Sequence, residues 1–132
     1  MEYHDVVVNQ TRYFVSTCSN STVSSLDFNQ TMKRIRFNVE GADGNAGFCN
    51  ITIPVELLSG NFSVYIDYTS PLDYELSSNS THNTLSITYE HSIHIIEVYG
   101  TSVIPDFASW LFLPFLMLAT LSAIALKKRF RK

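Results

Sequence analysis

Residues 107–126, FASWLFLPFLMLATLSAIAL, run for 20 positions without a charge. As a helix rising about 1.5 Å per residue they would reach about 30 Å, the thickness of a bilayer's hydrocarbon core. Ten of the 20 are Leu, Ile or Phe. At roughly −0.3 to −0.6 kcal/mol each near the membrane centre, they favour insertion by about −3 to −6 kcal/mol. Pro114 is tolerated in a transmembrane helix, and Trp110 suits the interfacial aromatic belt. A buried soluble helix that is apolar all round needs cover on every side, which a small domain does not supply. A single transmembrane helix over 107–126 is therefore expected.

The charges around this run set its direction. Directly after it comes KKRFRK, with Lys127, Lys128, Arg129, Arg131 and Lys132, whereas the preceding flank holds Asp106 and no base. Basic residues against a membrane mark the cytoplasmic side, so the N-terminal part should lie outside and the tail of 127–132 inside. All 12 acidic residues fall within 1–106 against four basic ones, Arg12, Lys33, Arg34 and Arg36, a net of −8. Such a surface repels phosphates, which argues against nucleic-acid binding. The opening MEYHDVVVNQTRYF lacks the basic start and continuous apolar run of a signal peptide. The expectation is that the chain is the tail of a longer secreted precursor or has a misplaced gene start. A third route is insertion directed by the anchor itself.

Residues 1–101 read as all-β, without a long 3.6-residue apolar period and with frequent alternation instead. Ile35, Phe37 and Val39 alternate with Arg34, Arg36, Asn38 and Glu40. The same holds for Cys49, Ile51 and Ile53, for Phe62, Val64 and Ile66, and for Leu85, Ile87 and Tyr89. Further strands are expected at 6–8, 12–17, 23–28 and 94–99. Turn signals separate them, among them CSNS, GADGNAG, LLSG, TSPLD and SSNSTHN. Asp43-Gly44 is expected to make a hairpin turn, Glu90-His91-Ser92 to turn the chain between antiparallel strands, and 54–60 to hold one helical turn. About eight strands at short spacing point to an immunoglobulin-like β-sandwich ectodomain over 1–101. A juxtamembrane linker over 102–106 follows, then the helix and the basic tail.

Asn-X-Ser/Thr sequons occur at Asn9, Asn20, Asn29, Asn50, Asn61 and Asn79. Nine Asn, with Ser and Thr making 27 of 132 residues, would give about two by chance. Alternation puts Asn50 and Asn61 on outward strand positions and the other four in turns, which suits glycans carried on a surface. Cys18 and Cys49 form an even pair in an oxidising exterior, with Cys49 pointing inward by its alternation. They could bond if Cys18 lay on the adjoining sheet; otherwise two small buried thiols are expected. Tethering a loop of about 30 residues would stabilise by about 3–4 kcal/mol.

Two runs, FNVEGADGNAGFCNITIPVELLSGNFSVYIDYTSPLDY and THNTLSITYEHSIHIIEVYGTSVIPDFASWLFLPF, resemble the C-terminal, membrane-proximal region of archaeal cell-surface proteins. The resemblance covers roughly 35–132. It rests on a GFCNITIP-like segment, a TYEHS-H-like hairpin, an IPEF-type juxtamembrane motif, an apolar helix and a basic tail, in that order. It implies an anchored exterior domain, often the end of a larger protein, with surface-layer or other exterior proteins as partners. The tripartite ending also looks like archaeosortase signals, in which the helix is cut off and replaced by a lipid. Asp106 stands where those motifs carry Glu and Ala108 where Pro is frequent, and retention of the helix is expected.

Little else carries chemistry. His91 and His94, three apart, read as a polar hairpin tip; His4 and His82 stand alone, and no cysteine lies near enough to complete a zinc site. Asp67, Asp73 and Glu75 around Pro71 lack a calcium-loop spacing. GxSxG, P-loop, HExxH and CxxC patterns are absent, so no enzyme and no cofactor are expected. Two classes of function stay open: a structural module anchored at the membrane, and an adhesin or ligand-binding receptor domain. Immunoglobulin-like sandwiches serve both. The discriminating feature is a contiguous exposed aromatic patch or a concave pocket, for which Tyr65, Tyr68 and Tyr74 are the candidates.

Overall fold

The computed structural model describes residues 1–104. The apolar run 107–126 and the tail 127–132, with Trp110, Lys127, Lys128, Arg129, Arg131 and Lys132, lie outside the described residues. No helix occurs among the described residues, and none there is long and apolar enough to cross a membrane. The alternating segments fold as twelve strands: β1 (Glu2–Val8), β2 (Thr11–Ser19), β3 (Thr22–Asn29), β4 (Arg34–Glu40), β5 (Ala46–Pro54), β6 (Leu58–Ser59), β7 (Ser63–Ile66), β8 (Ser70–Leu72), β9 (Tyr74–Ser78), β10 (His82–Glu90), β11 (Ile93–Tyr99) and β12 (Ser102–Val103). Ten of them build two five-stranded sheets, ordered β1-β2-β5-β10-β9 and β3-β4-β11-β7-β8, and β6 pairs with β12 apart from these. Every pairing is antiparallel. The two inner faces share one core, which makes the domain a β-sandwich.

The period-2 pattern explains which side chains fill that core. Ile35, Phe37 and Val39 from β4, Cys49, Ile51 and Ile53 from β5, Leu85 and Ile87 from β10, and Ile96 and Val98 from β11 are all fully buried, with Val64 nearly so. Their register places inner residue beside inner residue: Ile51 faces Leu85, Cys49 faces Ile87, and Ile96 faces Phe37. Each buried aliphatic or aromatic side chain stabilises by about 1.5–3 kcal/mol relative to exposure.

The turns differ from expectation in an instructive way. Val8 and Thr11 pair directly, and the two residues between them, Asn9 and Gln10, both have positive φ (52° and 67°), as a type I′ hairpin requires. The Asp43-Gly44 segment is not a hairpin: β4 and β5 belong to different sheets, so residues 41–45 carry the chain across the sandwich. His91 and Ser92 likewise connect β10 to β11 across the sandwich rather than within a sheet. The expected helical turn at 54–60 is one hydrogen-bonded turn, Leu57 N to Pro54 O at 3.0 Å, followed by β6. The TSPLD segment, expected as a turn, supplies β8, whose Pro71 sits on an edge strand where a missing N–H is tolerated. Asn61 precedes β7 instead of lying on it. Ser102 and Val103, expected as linker, pair with Ser59 and Leu58 and so belong to the folded domain.

Candidate functional site

The outer face of the β3-β4-β11-β7-β8 sheet carries an unusual layer. Arg34 and Glu97 point away from the core by alternation, yet they are 7% and 3% exposed. Arg34 Nη1 donates to Glu97 Oε2 at 3.4 Å, and the Tyr99 hydroxyl donates to the same oxygen at 3.3 Å. Arg34 Nε has no hydrogen-bond partner among the described residues. Glu97 faces Tyr65 across the β11–β7 ladder, and Tyr99 faces Ser63. The Tyr65 and Tyr99 rings meet edge to face, with centroids 5.8 Å apart and planes at 84°. With Tyr68 and Ser63 they line an open hollow of about 360 Å³.

Tyr68 reaches this hollow from the β7–β8 loop, where Asp67 and Tyr68 have φ of 51° and 73°. Left-handed backbone is unfavourable for a bulky side chain and persists where the surroundings fix it. Here Asp67 supplies the fixing. Its N–H donates to Ile95 O at 2.8 Å, its Oδ1 accepts from Ile95 N at 3.1 Å, and its Oδ2 pairs with His94 Nδ1 at 2.8 Å. His94 Nε2 in turn lies 2.9 Å from Glu90 O. Partial desolvation, the largest single influence on Asp67, raises its pKa, but the hydrogen bonds from His94 and the Ile95 amide outweigh it and hold the carboxyl below its ordinary value. The loop is thus tied to β11, and Tyr68 remains 56% exposed.

Of the three tyrosines singled out from sequence, Tyr65 and Tyr68 come together, and Tyr74 does not join them. Its ring packs against the core and its hydroxyl donates to Phe62 O at 2.7 Å. Tyr99 is the member that sequence reasoning missed. Its alternation with buried Val98 was legible; what it needed was the pairing of β11 with β7.

A second cluster closes one end of the sandwich. His91, expected at an exposed tip, is 8% exposed. Its Nε2 lies 2.9 Å from Ser21 Oγ, which lies 2.6 Å from the Tyr89 hydroxyl. His91 Nδ1 has no hydrogen-bond partner among the described residues. Burial raises the pKa of the Tyr89 hydroxyl, which the hydrogen bonds to Ser21 and Ser19 only partly oppose. The imidazole lies against two glycines: a Cβ at Gly41 would come within 2.6 Å of its ring, and one at Gly47 within 2.5 Å. Ser21, Gly41 and His91 come from the β2–β3, β4–β5 and β10–β11 connections, so one ring locks three crossings between the sheets. The serine–histidine contact resembles half of a hydrolytic site, but among the described residues no carboxylate pairs with Nδ1 to orient the ring.

The remaining expected site residues are spread over the surface. Asn9, Asn20, Asn61 and Asn79 are exposed, and Asn29 and Asn50 half-buried. Asn20 uses both ends of its amide, donating to Ala46 O at 3.0 Å and accepting from Phe48 N at 2.9 Å. Asn79 Oδ1 organises its own turn by accepting from Thr81 N at 2.9 Å and His82 N at 2.8 Å. Asp73 and Glu75 are exposed. His4 Nε2 contacts Thr17 Oγ1 at 3.0 Å, and His82 Nδ1 contacts Thr81 Oγ1 at 2.9 Å. Cys18 and Cys49 lie on neighbouring strands of one sheet, not on facing sheets, where Cys18 faces Asn50 and Ser19 faces Cys49. They therefore occupy opposite faces, Cys18 exposed and Cys49 buried, and both thiols are free. Burial pushes the Cys49 thiol up to about 12. No family model, curated protein or solved structure matches the chain.

Proposed function

We propose that the chain is a non-catalytic cell-surface module, held at the membrane by its C-terminal apolar run and forming the end of a larger exported surface protein. The way the polypeptide leaves the sandwich is the observation that supports this reading best. Gly100 N donates to Lys33 O at 2.9 Å, Lys33 Nζ to Thr101 O at 3.3 Å, Ile104 N to Leu57 O at 3.1 Å, and Gln30 Nε2 to Ile104 O at 2.8 Å. Together with the β6–β12 pairing, these bonds pin residues 100–104 to the domain. Only Pro105 and Asp106 then separate Ile104 from the uncharged run. Tension or tilt at an anchor beginning there passes into a hydrogen-bonded strand, not into a slack tether. The domain is kept close to the bilayer with its swing restricted.

The immunoglobulin-like assignment belongs to the same proposal. The order β2-β5-β10-β9 follows the A-B-E-D order of that class, and β8-β7-β11 follows C′-C-F. The neighbour of β11, where a final strand G would lie, is β4 from earlier in the chain. The resemblance to archaeal surface proteins and the six sequons favour an exterior location in contact with other surface components. A second reading, a ligand-binding or adhesive domain, is favoured by the tyrosine-lined hollow. The anchor is tested by alkaline carbonate extraction of membranes from cells expressing the full chain. Retention in the pellet is expected, with release on deletion of 107–126. Release of the intact full chain would contradict the proposal.

A further inference from the structure

We propose that the hollow formed by Tyr65, Tyr68 and Tyr99 is a binding site for a small ligand that carries a quaternary alkylammonium group. The inference is independent of how the chain is anchored. A flat platform for a sugar ring needs exposed aromatic faces that lie side by side. Here the Tyr65 and Tyr99 planes stand at 84°, edge to face, so they make no flat platform, and with Tyr68 and Ser63 they line the hollow. Cations are attracted to the negative face of an aromatic ring, and several rings around one charge give the cage used for quaternary ammonium ligands.

Four further observations agree. The Tyr99 hydroxyl donates to the Glu97 carboxylate, which pushes electron density into the ring and deepens its negative face. The buried Arg34 charge is offset by Glu97 at 3.4 Å, so this face of the sheet carries no uncompensated buried positive charge to repel a cation. The described residues hold eleven acidic side chains against four basic ones, a net of −7 with histidine neutral, which draws cations to the surface. The left-handed backbone at Tyr68, tied down through Asp67, presents the third ring before a ligand arrives and so lowers the ordering cost of binding.

The test uses the full chain in a polyoxyethylene detergent, which carries neither sugar nor ammonium groups. Tyrosine-ring NMR signals are followed during titration with choline chloride, with its neutral isostere 3,3-dimethylbutanol, and with methyl β-glucopyranoside. Saturable shifts of the Tyr65, Tyr68 and Tyr99 rings by choline are expected, with a dissociation constant on the order of 1 mM and at least about tenfold preference over the isostere. Because Tyr68 is exposed, Tyr68→Ala should keep the fold, checked by thermal unfolding, while weakening choline binding about fivefold; Tyr68→Phe should bind as the native chain does. Equal affinity for choline and the isostere, absence of saturable choline shifts, undiminished binding by Tyr68→Ala, or binding of the glucoside in place of choline would each overturn the proposal.

Discussion

Gly41→Ala provides a direct probe of the His91 keystone. The backbone at Gly41 does not need positive φ, so alanine is conformationally allowed there. On backbone entropy alone, such a replacement stabilises by about 0.4–1 kcal/mol, because the unfolded chain loses freedom. The three nearest atoms to the added Cβ, however, all belong to the His91 ring, at 2.6, 2.7 and 2.8 Å. Real Cβ contacts are not so short, and the ring has little room to move, since Gly47 backs it and Ser21 Oγ holds its Nε2. Overpacking of this kind costs about 1–3 kcal/mol. Set against an entropic gain of about 0.5 kcal/mol, Gly41→Ala should lower stability in the native background by about 0.5–2.5 kcal/mol. In a His91→Ala background the obstruction is gone, and the same substitution should stabilise by about 0.5 kcal/mol. The entropic gain is common to both backgrounds, so the coupling between the two changes is the overpacking cost itself, about 1–3 kcal/mol, above the scatter of independent sites. Urea denaturation of all four variants at constant m-value measures it. A Gly41→Ala effect of the same sign and size in both backgrounds would refute the reasoning that the imidazole is what the glycine accommodates.

Glu97→Gln leaves the buried Arg34 charge without its counter-ion and should cost about 3–5 kcal/mol in the same urea assay, whereas Arg34→Met combined with Glu97→Leu should cost far less. Asp67 has a folded-state pKa below its ordinary 3.8, so its stabilising contribution is complete above that value and is lost as pH falls through the folded one. Asp67→Asn should accordingly flatten the dependence of unfolding free energy on pH in the acid range, and an unchanged slope would contradict the Asp67–His94–Ile95 linkage. Native protein treated with a thiol reagent at neutral pH should be labelled once per chain, at Cys18, with Cys49 reacting only after unfolding. Labelling of neither thiol, reversed by a reductant, would show that the pair is bonded.

The inner half of the fold was readable because alternation is a local signal. Ile35, Phe37, Val39, Cys49, Ile51, Ile53, Leu85 and Ile87 declare their side of a strand within a few residues. Strand partners are not local. A Gly-rich turn such as GADGN serves equally well to reverse a strand within its sheet or to carry it across, and the choice is made by which neighbours bury the next apolar set. That is why the 41–45 and 91–92 connections read as hairpins and are crossings. His91 follows from the same limit, since a polar residue after a strand looks like a tip. The glycines that make room for its ring, Gly41 and Gly47, lie more than 40 positions away in the chain. Short edge strands were hidden as well. In β8 and β9, Pro71 and the serines of SSNS carry the marks of turns, because an edge strand tolerates both. The hollow needed two things at once: outward positions, which alternation supplies for Tyr65 and Tyr99, and the register that sets Tyr99 opposite Ser63 and Glu97 opposite Tyr65.

The central claim is that one face of the bilayer holds the sandwich and the other holds the basic tail. It is tested most directly by adding protease to intact cells that display the full chain with an epitope after Lys132, and blotting for both ends. The account predicts that the sandwich is reached from outside while the epitope stays protected until the cells are opened. Digestion of the epitope on unbroken cells would contradict it.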